Sequence, residues 1–74
     1  MPQKLYRGMM ALRIREGHRS AVTLRAGQIL EVLGPAEDDR FVQIQVDGEV
    51  LEAFELDVAD RCYSDKNWPG SARN

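Results

Sequence analysis

Apolar and polar residues alternate along most of the chain with a period of two, which is typical of half-buried β-strands. Extended runs are predicted at 9–15, 22–24, 28–33, 41–46 and 49–54, with a short closing strand at 61–63 and loops at 16–21 and 35–40. In the first run, Leu12 and Ile14 are expected to face the core, and Arg13 and Arg15 to face solvent. Alternation is lost over 55–60, which predicts a single helical or 3₁₀ turn. The pattern therefore predicts a small all-β fold.

The strongest local signal is the Asp47-Gly48 pair between two extended runs. A two-residue type I′ turn needs positive φ at both positions, and Asp-Gly tolerates that conformation well. Such a turn fixes the register of its hairpin. The predicted cross-strand partners are Val46 and Glu49, Gln45 and Val50, Ile44 and Leu51, Gln43 and Glu52, Val42 and Ala53, and Phe41 and Phe54. One face of the hairpin is then apolar and is expected to face the core. The opposite face carries the two phenylalanines.

The chain has 74 residues, enough for one small domain. We expect a loosely held lead-in over 1–8, the folded domain over 9–63 and a polar, mobile tail over 64–74. The predicted core consists of Leu12, Ile14, Val22, Leu24, Leu30, Val32, Val42, Ile44, Val46, Leu51, Ala53, Leu56 and Val58. A core of this size supports a compact fold but not a deep catalytic cleft as well, so no enzymatic activity is expected.

The order of these elements resembles the SH3-like barrel, a five-stranded fold with one short helical turn before its last strand. The segment 26–33, in which Gly27 precedes a strand, is similar to the second barrel strand. The segment 41–54 is similar to the distal hairpin, and 55–58 to the turn that follows it. The resemblance covers about residues 9–63 and implies an SH3-like barrel. Because many unrelated functions use this barrel, it implies no particular activity.

A closer resemblance is to a group of small uncharacterised bacterial proteins of about this length. The pattern is Val-Thr-Leu-x-Ala-Gly, then Glu-Val-Leu-Gly-Pro, then Asp-Gly. It is matched here by 22–27, 31–35 and 47–48. This resemblance implies the same fold and no assigned activity.

Peptide-binding SH3 domains hold proline-rich helices in an aromatic groove. By this resemblance, Phe41 stands where those domains carry the first groove tryptophan, and Phe54 where they carry the groove proline. Arg13 and Arg15 fall in the region of the groove tyrosines. These departures remove the slots for proline, so no proline-rich peptide groove is expected.

The sequence has one cysteine, Cys62, and one histidine, His18. A single cysteine excludes an internal disulfide framework and suits a reducing cytoplasm. One cysteine with one histidine also excludes a Cys/His zinc site, and no cofactor or catalytic residue is expected. No apolar run approaches the roughly 20 residues that a membrane span needs, so no membrane association is expected.

Charge is distributed unevenly along the chain. Residues 1–27 hold six basic residues against Glu16, a net charge of +5, and residues 28–63 hold two arginines against ten carboxylates, a net charge of −8. One interpretation is that the two parts neutralise each other within the domain. The other is a bipolar surface, on which the acidic loop residues Glu37, Asp38 and Asp39 meet arginines of another protomer. The net charge of −2 argues against nucleic acid as a partner.

Phe41 and Phe54 are the candidate binding residues, together with Arg13 and Arg15. The rings either form a minor core or stand exposed beside the guanidinium groups, which suits an acidic peptide, a stacked base or a partner subunit. We expect a non-enzymatic interaction module that binds a protein partner or itself through this Arg/Phe face. The alternatives are a nucleic-acid-associated barrel and an oligomeric enzyme whose site lies on a symmetry axis.

Overall fold

The computed structural model describes residues 2–64, which form seven strands and one short helix. The strands are β1 (Pro2–Leu5), β2 (Met9–Arg15), β3 (His18–Leu24), β4 (Ile29–Pro35), β5 (Phe41–Val46), β6 (Glu49–Phe54) and β7 (Cys62–Ser64), and the helix α1 (Glu55–Arg61) lies between β6 and β7. The predicted all-β class is therefore confirmed. Within residues 2–64, no helix is both long and apolar enough to cross a membrane. The tail predicted over 64–74 lies outside the described residues, apart from Ser64, which ends β7.

All seven strands belong to one antiparallel sheet, in the order β3-β2-β6-β5-β4-β1-β7. The prediction of a closed five-stranded barrel is wrong, because the sheet has seven strands and is open between β3 and β7. Part of the predicted lead-in forms β1, which lies between β4 and β7. Gln3 pairs there with Leu30 and Lys4 pairs with Tyr63.

The β5–β6 hairpin has the register that the Asp47-Gly48 turn predicts. Both turn residues have positive φ, 52° and 79°. All six predicted pairs are present, from Val46 opposite Glu49 to Phe41 opposite Phe54. The local turn chemistry was therefore sufficient to fix the register.

A second hairpin joins β2 to β3 through Glu16 and Gly17, which also have positive φ, 51° and 79°. Its seven consecutive pairs run from Met9 opposite Leu24 to Arg15 opposite His18. The loop predicted over 16–21 is thus confined to two residues, and β3 begins at His18. This hairpin forms one edge of the sheet.

The core is a single cluster of buried side chains on one face of the sheet. Its buried members are Leu5, Met9, Ala11, Leu24, Leu30, Ile44, Val46, Leu51, Ala53, Val58 and Cys62, with Val22, Val32 and Val42 packed against them. The predicted orientation of β2 is wrong, since Met9 and Ala11 face this core while Ile14 is exposed. Leu56 was also predicted to lie in the core and is exposed instead.

Candidate functional site

The side of the sheet opposite the core carries exposed apolar residues. We call this side the outer face. Leu12 pairs with Glu52, and side chains alternate along each strand, so Ile14, Val50 and Phe54 lie on the same side as Leu12. A shallow depression of about 300 Å³ lies on this face, lined by Leu12, Ile14, Gln43, Val50, Leu51 and Glu52. The outer face therefore combines exposed apolar side chains with a polar cross-strand pair, Gln43 and Glu52.

Phe41 and Phe54 lie side by side on the outer face, but they differ in exposure. Their ring centroids are 4.5 Å apart and the rings are tilted by 31°. Phe41 is 5% exposed, whereas Phe54 is 45% exposed. Phe41 is therefore buried, although it lies outside the core cluster, and Phe54 presents an aromatic surface to solvent on a rigid support. The interpretation of the rings as buried fits Phe41, and the interpretation of the rings as exposed fits Phe54.

A hollow of about 410 Å³ lies beside Phe54, between the β4–β5 loop and the start of α1. It is lined by Asp39, Arg40, Phe54, Glu55 and Leu56. Leu56 is 82% exposed, the highest exposure of any large apolar side chain in the described part of the chain. The backbone N–H of Glu55 donates to the carbonyl of Arg40 at 2.9 Å, which holds the two walls of the hollow together. We call these five residues the Phe54 hollow.

The acidic loop beside the Phe54 hollow is ordered by its own arginine. Asp38 accepts a hydrogen bond from the backbone N–H of Arg40 at 3.0 Å and two from its guanidinium group, at 2.6 and 3.1 Å. The side-chain hydrogen bond from Arg40 is the main cause that lowers the pKa of Asp38 to about 2. Arg40 also lies 5.9 Å from the centre of the Phe41 ring. Asp38 and Arg40 therefore neutralise each other.

The remaining carboxylates at this end of the domain leave it negatively charged. Glu37 and Asp39 are exposed in the loop, and Glu55 is exposed at the start of α1. Within residues 2–64, none of these three forms an ion pair. The charge of Arg40 is matched by Asp38, and Arg19 also acts on Asp38 through its charge. Three carboxylates against this one further arginine leave the rim of the Phe54 hollow with an excess of negative charge.

Arg13 and Arg15 do not lie beside the phenylalanines. The guanidinium group of Arg13 donates two hydrogen bonds to Glu49, one of 2.8 Å, and Arg15 lies 3.5 Å from the same carboxylate. Arg13 belongs to the side of β2 that carries Ala11, opposite the outer face. The hydrogen bond from Arg13 is the main cause that holds the pKa of Glu49 below its ordinary value. The predicted grouping of these arginines with Phe41 and Phe54 is corrected, and Arg40 takes that position.

Several arginines of the basic first third are paired within the domain. Arg7 forms an ion pair with Asp60 at 2.8 Å, in addition to the contacts of Arg13 and Arg15 with Glu49. These contacts join the basic and acidic parts of the chain, as one of the two charge interpretations expects. They also leave less unpaired positive charge for phosphate groups.

Cys62 lies in the core, where burial raises the pKa of its thiol to about 11. A thiol with such a pKa is protonated at neutral pH and is a poor nucleophile. His18 is exposed at the start of β3. Residues 2–64 contain no group of three or more His, Cys, Asp or Glu side chains arranged to hold a metal ion.

Sequence reasoning missed three residues of the Phe54 hollow as binding candidates, Arg40, Glu55 and Leu56. Glu55 was interpreted as part of the solvated side of a helical turn. Leu56 was assigned to the core because an apolar residue in a helical turn is usually buried. Arg40 was not singled out, although the Asp38-x-Arg40 spacing is a signal for an Asx turn, in which an aspartate side chain accepts from the backbone two residues on.

Comparison of the chain with protein families, with curated proteins and with solved structures finds no match. The Phe54 hollow is therefore the main indication of function.

Proposed function

We propose that this protein is a non-enzymatic interaction module that binds a basic and apolar segment of a partner protein in the Phe54 hollow. One observation carries this proposal: two exposed apolar side chains, Phe54 and Leu56, stand beside carboxylates that have no ion-pair partner within residues 2–64. An exposed apolar side chain costs solubility, and adjacent apolar side chains on a rigid support are typical of binding surfaces.

The charge of the rim selects the chemistry of the partner. Asp39 and Glu55 line the hollow and Glu37 lies in the same loop. Lysine or arginine side chains on the partner would approach these carboxylates, and complementary charges raise the rate and the specificity of association more than its strength. An acidic peptide, which the position of Arg13 and Arg15 had suggested, is disfavoured because the arginine at this site is already paired with Asp38.

The aromatic and aliphatic side chains supply the affinity. Phe54 packs against the buried ring of Phe41, so little side-chain entropy remains to be lost when a ligand covers it. Leu56 projects from the first turn of α1 and gains most from being covered, because it is the most exposed large apolar side chain in the described part of the chain. A small hollow with two anchors fits one or two apolar residues of the partner, which is a weak and transient mode of binding.

The test uses a short synthetic peptide that combines leucine and arginine, measured by fluorescence anisotropy with the full chain. Leu56→Ser is expected to weaken binding about tenfold, because the residue acts as an anchor. Asp39→Asn is expected to weaken it about threefold and to reduce its dependence on salt. Ile14→Ser is the control, since Ile14 is also an exposed aliphatic residue, at 42%, but lies outside the hollow, and it is expected to have no effect.

Two probes distinguish the charge from the apolar contribution. A peptide with glutamate in place of arginine is expected not to bind, and one with serine in place of leucine is expected to bind at least about tenfold more weakly. The proposal is contradicted if the glutamate peptide binds as tightly as the arginine peptide. It is also contradicted if Ile14→Ser and Leu56→Ser weaken binding equally.

A further inference from the structure

Strand β3 is an exposed edge of the sheet with few of the features that usually prevent edge strands from pairing. It runs over His18–Leu24, lies at the end of the strand order and pairs with β2 alone. Its seven pairs with β2 are continuous, so the strand has no bulge. It contains no proline and no lysine, and Arg19 is its one permanently charged residue. Natural edge strands are commonly blocked by such residues or by bulges.

The geometry of the β2–β3 hairpin shows which backbone groups of β3 face the free edge. Arg15 and His18 flank the two-residue turn and form its closing pair, so they exchange hydrogen bonds across the hairpin. Hydrogen-bonded and non-hydrogen-bonded pairs alternate along antiparallel strands. Arg19, Ala21 and Thr23 therefore belong to non-hydrogen-bonded pairs, and their N–H and C=O groups point away from β2.

We infer that β3 pairs with β3 of a second copy of this chain, antiparallel, about a two-fold axis that passes beside Ala21. In this register Ala21 lies opposite its own counterpart, and Arg19 lies opposite Thr23 of the second copy. All three outward-facing residues then form hydrogen-bonded pairs across the axis. The small side chains of Ser20 and Ala21 lie at the centre, where the two strands approach each other.

Charge at the two ends of the strand favours this register over the registers shifted by two residues in either direction. Arg25 of one copy comes opposite Gly17 of the other and next to Glu16, so two symmetric pairs of opposite charge form. Both side chains are exposed, and neither forms an ion pair or a side-chain hydrogen bond within residues 2–64. A shift of two residues in one direction places Arg19 opposite Arg25, and a shift in the other direction loses one hydrogen-bonded pair.

No β3 residue lines the Phe54 hollow, so the inference does not depend on the proposed function, although the charge of Arg19 also helps to lower the pKa of Asp38 in the loop beside the hollow. Pairing two β3 strands makes one continuous sheet of the two copies. The outer faces of both copies then lie on the same side of that sheet, because Leu12 and Ala21 of each copy are neighbours across the hairpin.

Charge exchange tests the register by sedimentation equilibrium of the full chain. Wild-type protein is expected to form dimers as its concentration rises to about 1 mM. Arg25→Glu and Glu16→Arg are each expected to raise the dissociation constant about tenfold, since each places like charges together twice. The double variant, which has the net charge of the wild type, is expected to restore dimerisation. A double variant as weak as the single variants would overturn the register.

An edge-blocking variant tests the strand itself. Ala21→Pro removes an N–H that points away from β2, so the monomer is expected to keep its circular dichroism spectrum and to lose dimerisation. Leu56→Ser is the matched control and is expected to leave the dimer unchanged. A wild-type chain that stays monomeric throughout the concentration series overturns the inference. So does a dimer that Leu56→Ser breaks and Ala21→Pro does not, because the second copy would then occupy the hollow.

Discussion

Ala11→Asp is expected to unfold the domain, whereas Ile14→Asp is expected to leave it folded. Ala11 lies in the core cluster, with Met9 of the same strand and Leu24 of β3. A carboxylate there would be buried without a partner, which costs on the order of 4 kcal/mol or more. A domain of this size has a free energy of unfolding of about 5 kcal/mol, so little stability would remain.

Ile14 provides the contrast, because it occupies the opposite face of the same strand. Its side chain is exposed on the outer face, so an aspartate at this position stays in water. The expected loss is below about 1 kcal/mol, mainly from lower β-propensity and lost contact with neighbouring apolar groups. Thermal unfolding followed by circular dichroism measures both variants. Equal destabilisation, or a larger effect at Ile14, would show that Leu12 and Ile14 face the core after all.

Ile44→Ala is expected to lower the free energy of unfolding by about 3 kcal/mol. Ile44 is fully buried at the centre of β5, between Val32 of β4 and Leu51 of β6. Truncation removes apolar contacts and leaves a cavity that neighbours on paired strands cannot fill without breaking the sheet. In a small domain this is a large part of the total stability.

Val50→Ala is the control for this substitution. Val50 lies on the adjacent strand β6, but half of its side chain is exposed on the outer face. Its truncation is expected to cost below about 1 kcal/mol. Urea denaturation gives both values. A loss at Ile44 no larger than that at Val50 would contradict the position of the core.

The β5–β6 hairpin was predictable because its register depends on two adjacent residues. Asp47 and Gly48 adopt the positive φ that the turn requires, and the six pairs follow from it. The Glu16-Gly17 turn has nearly the same backbone geometry. Glutamate is not a usual residue for this conformation, so the signal for a turn is weaker there and the start of β3 was missed.

The orientation of β2 could not be read from the strand alone. Apolar residues occupy both of its faces, Met9 and Ala11 on one side and Met10, Leu12 and Ile14 on the other. Arg13 suggested that its own side faces solvent. In the structure, Arg13 lies on the same side of β2 as the core residues Met9 and Ala11. Its charge is neutralised there by Glu49, a carboxylate distant in sequence. The burial of Met9 and Ala11 therefore accounts for the orientation, and the ion pair with Glu49 accommodates Arg13 on the same side of the strand.

The Phe54 hollow was only partly predictable. Phe54 and the acidic loop were identified from the hairpin register and from the run Glu37-Asp38-Asp39. Their proximity to Leu56 depends on how α1 packs after β6, and this helix buries only Val58. Leu5, from a polar segment without strand periodicity, is fully buried in the core. No local pattern indicated that contribution.

The difference between the two phenylalanines is the central claim, and fluorine NMR tests it directly. The sequence has two phenylalanines, so uniform 4-fluorophenylalanine labelling gives two resonances, which Phe54→Leu assigns. With a soluble paramagnetic probe, the Phe54 resonance is expected to broaden while that of Phe41 stays sharp. Addition of the leucine–arginine peptide is expected to shift the Phe54 resonance and protect it from broadening. Equal broadening of both resonances, or a peptide that leaves Phe54 unshifted, would contradict the account.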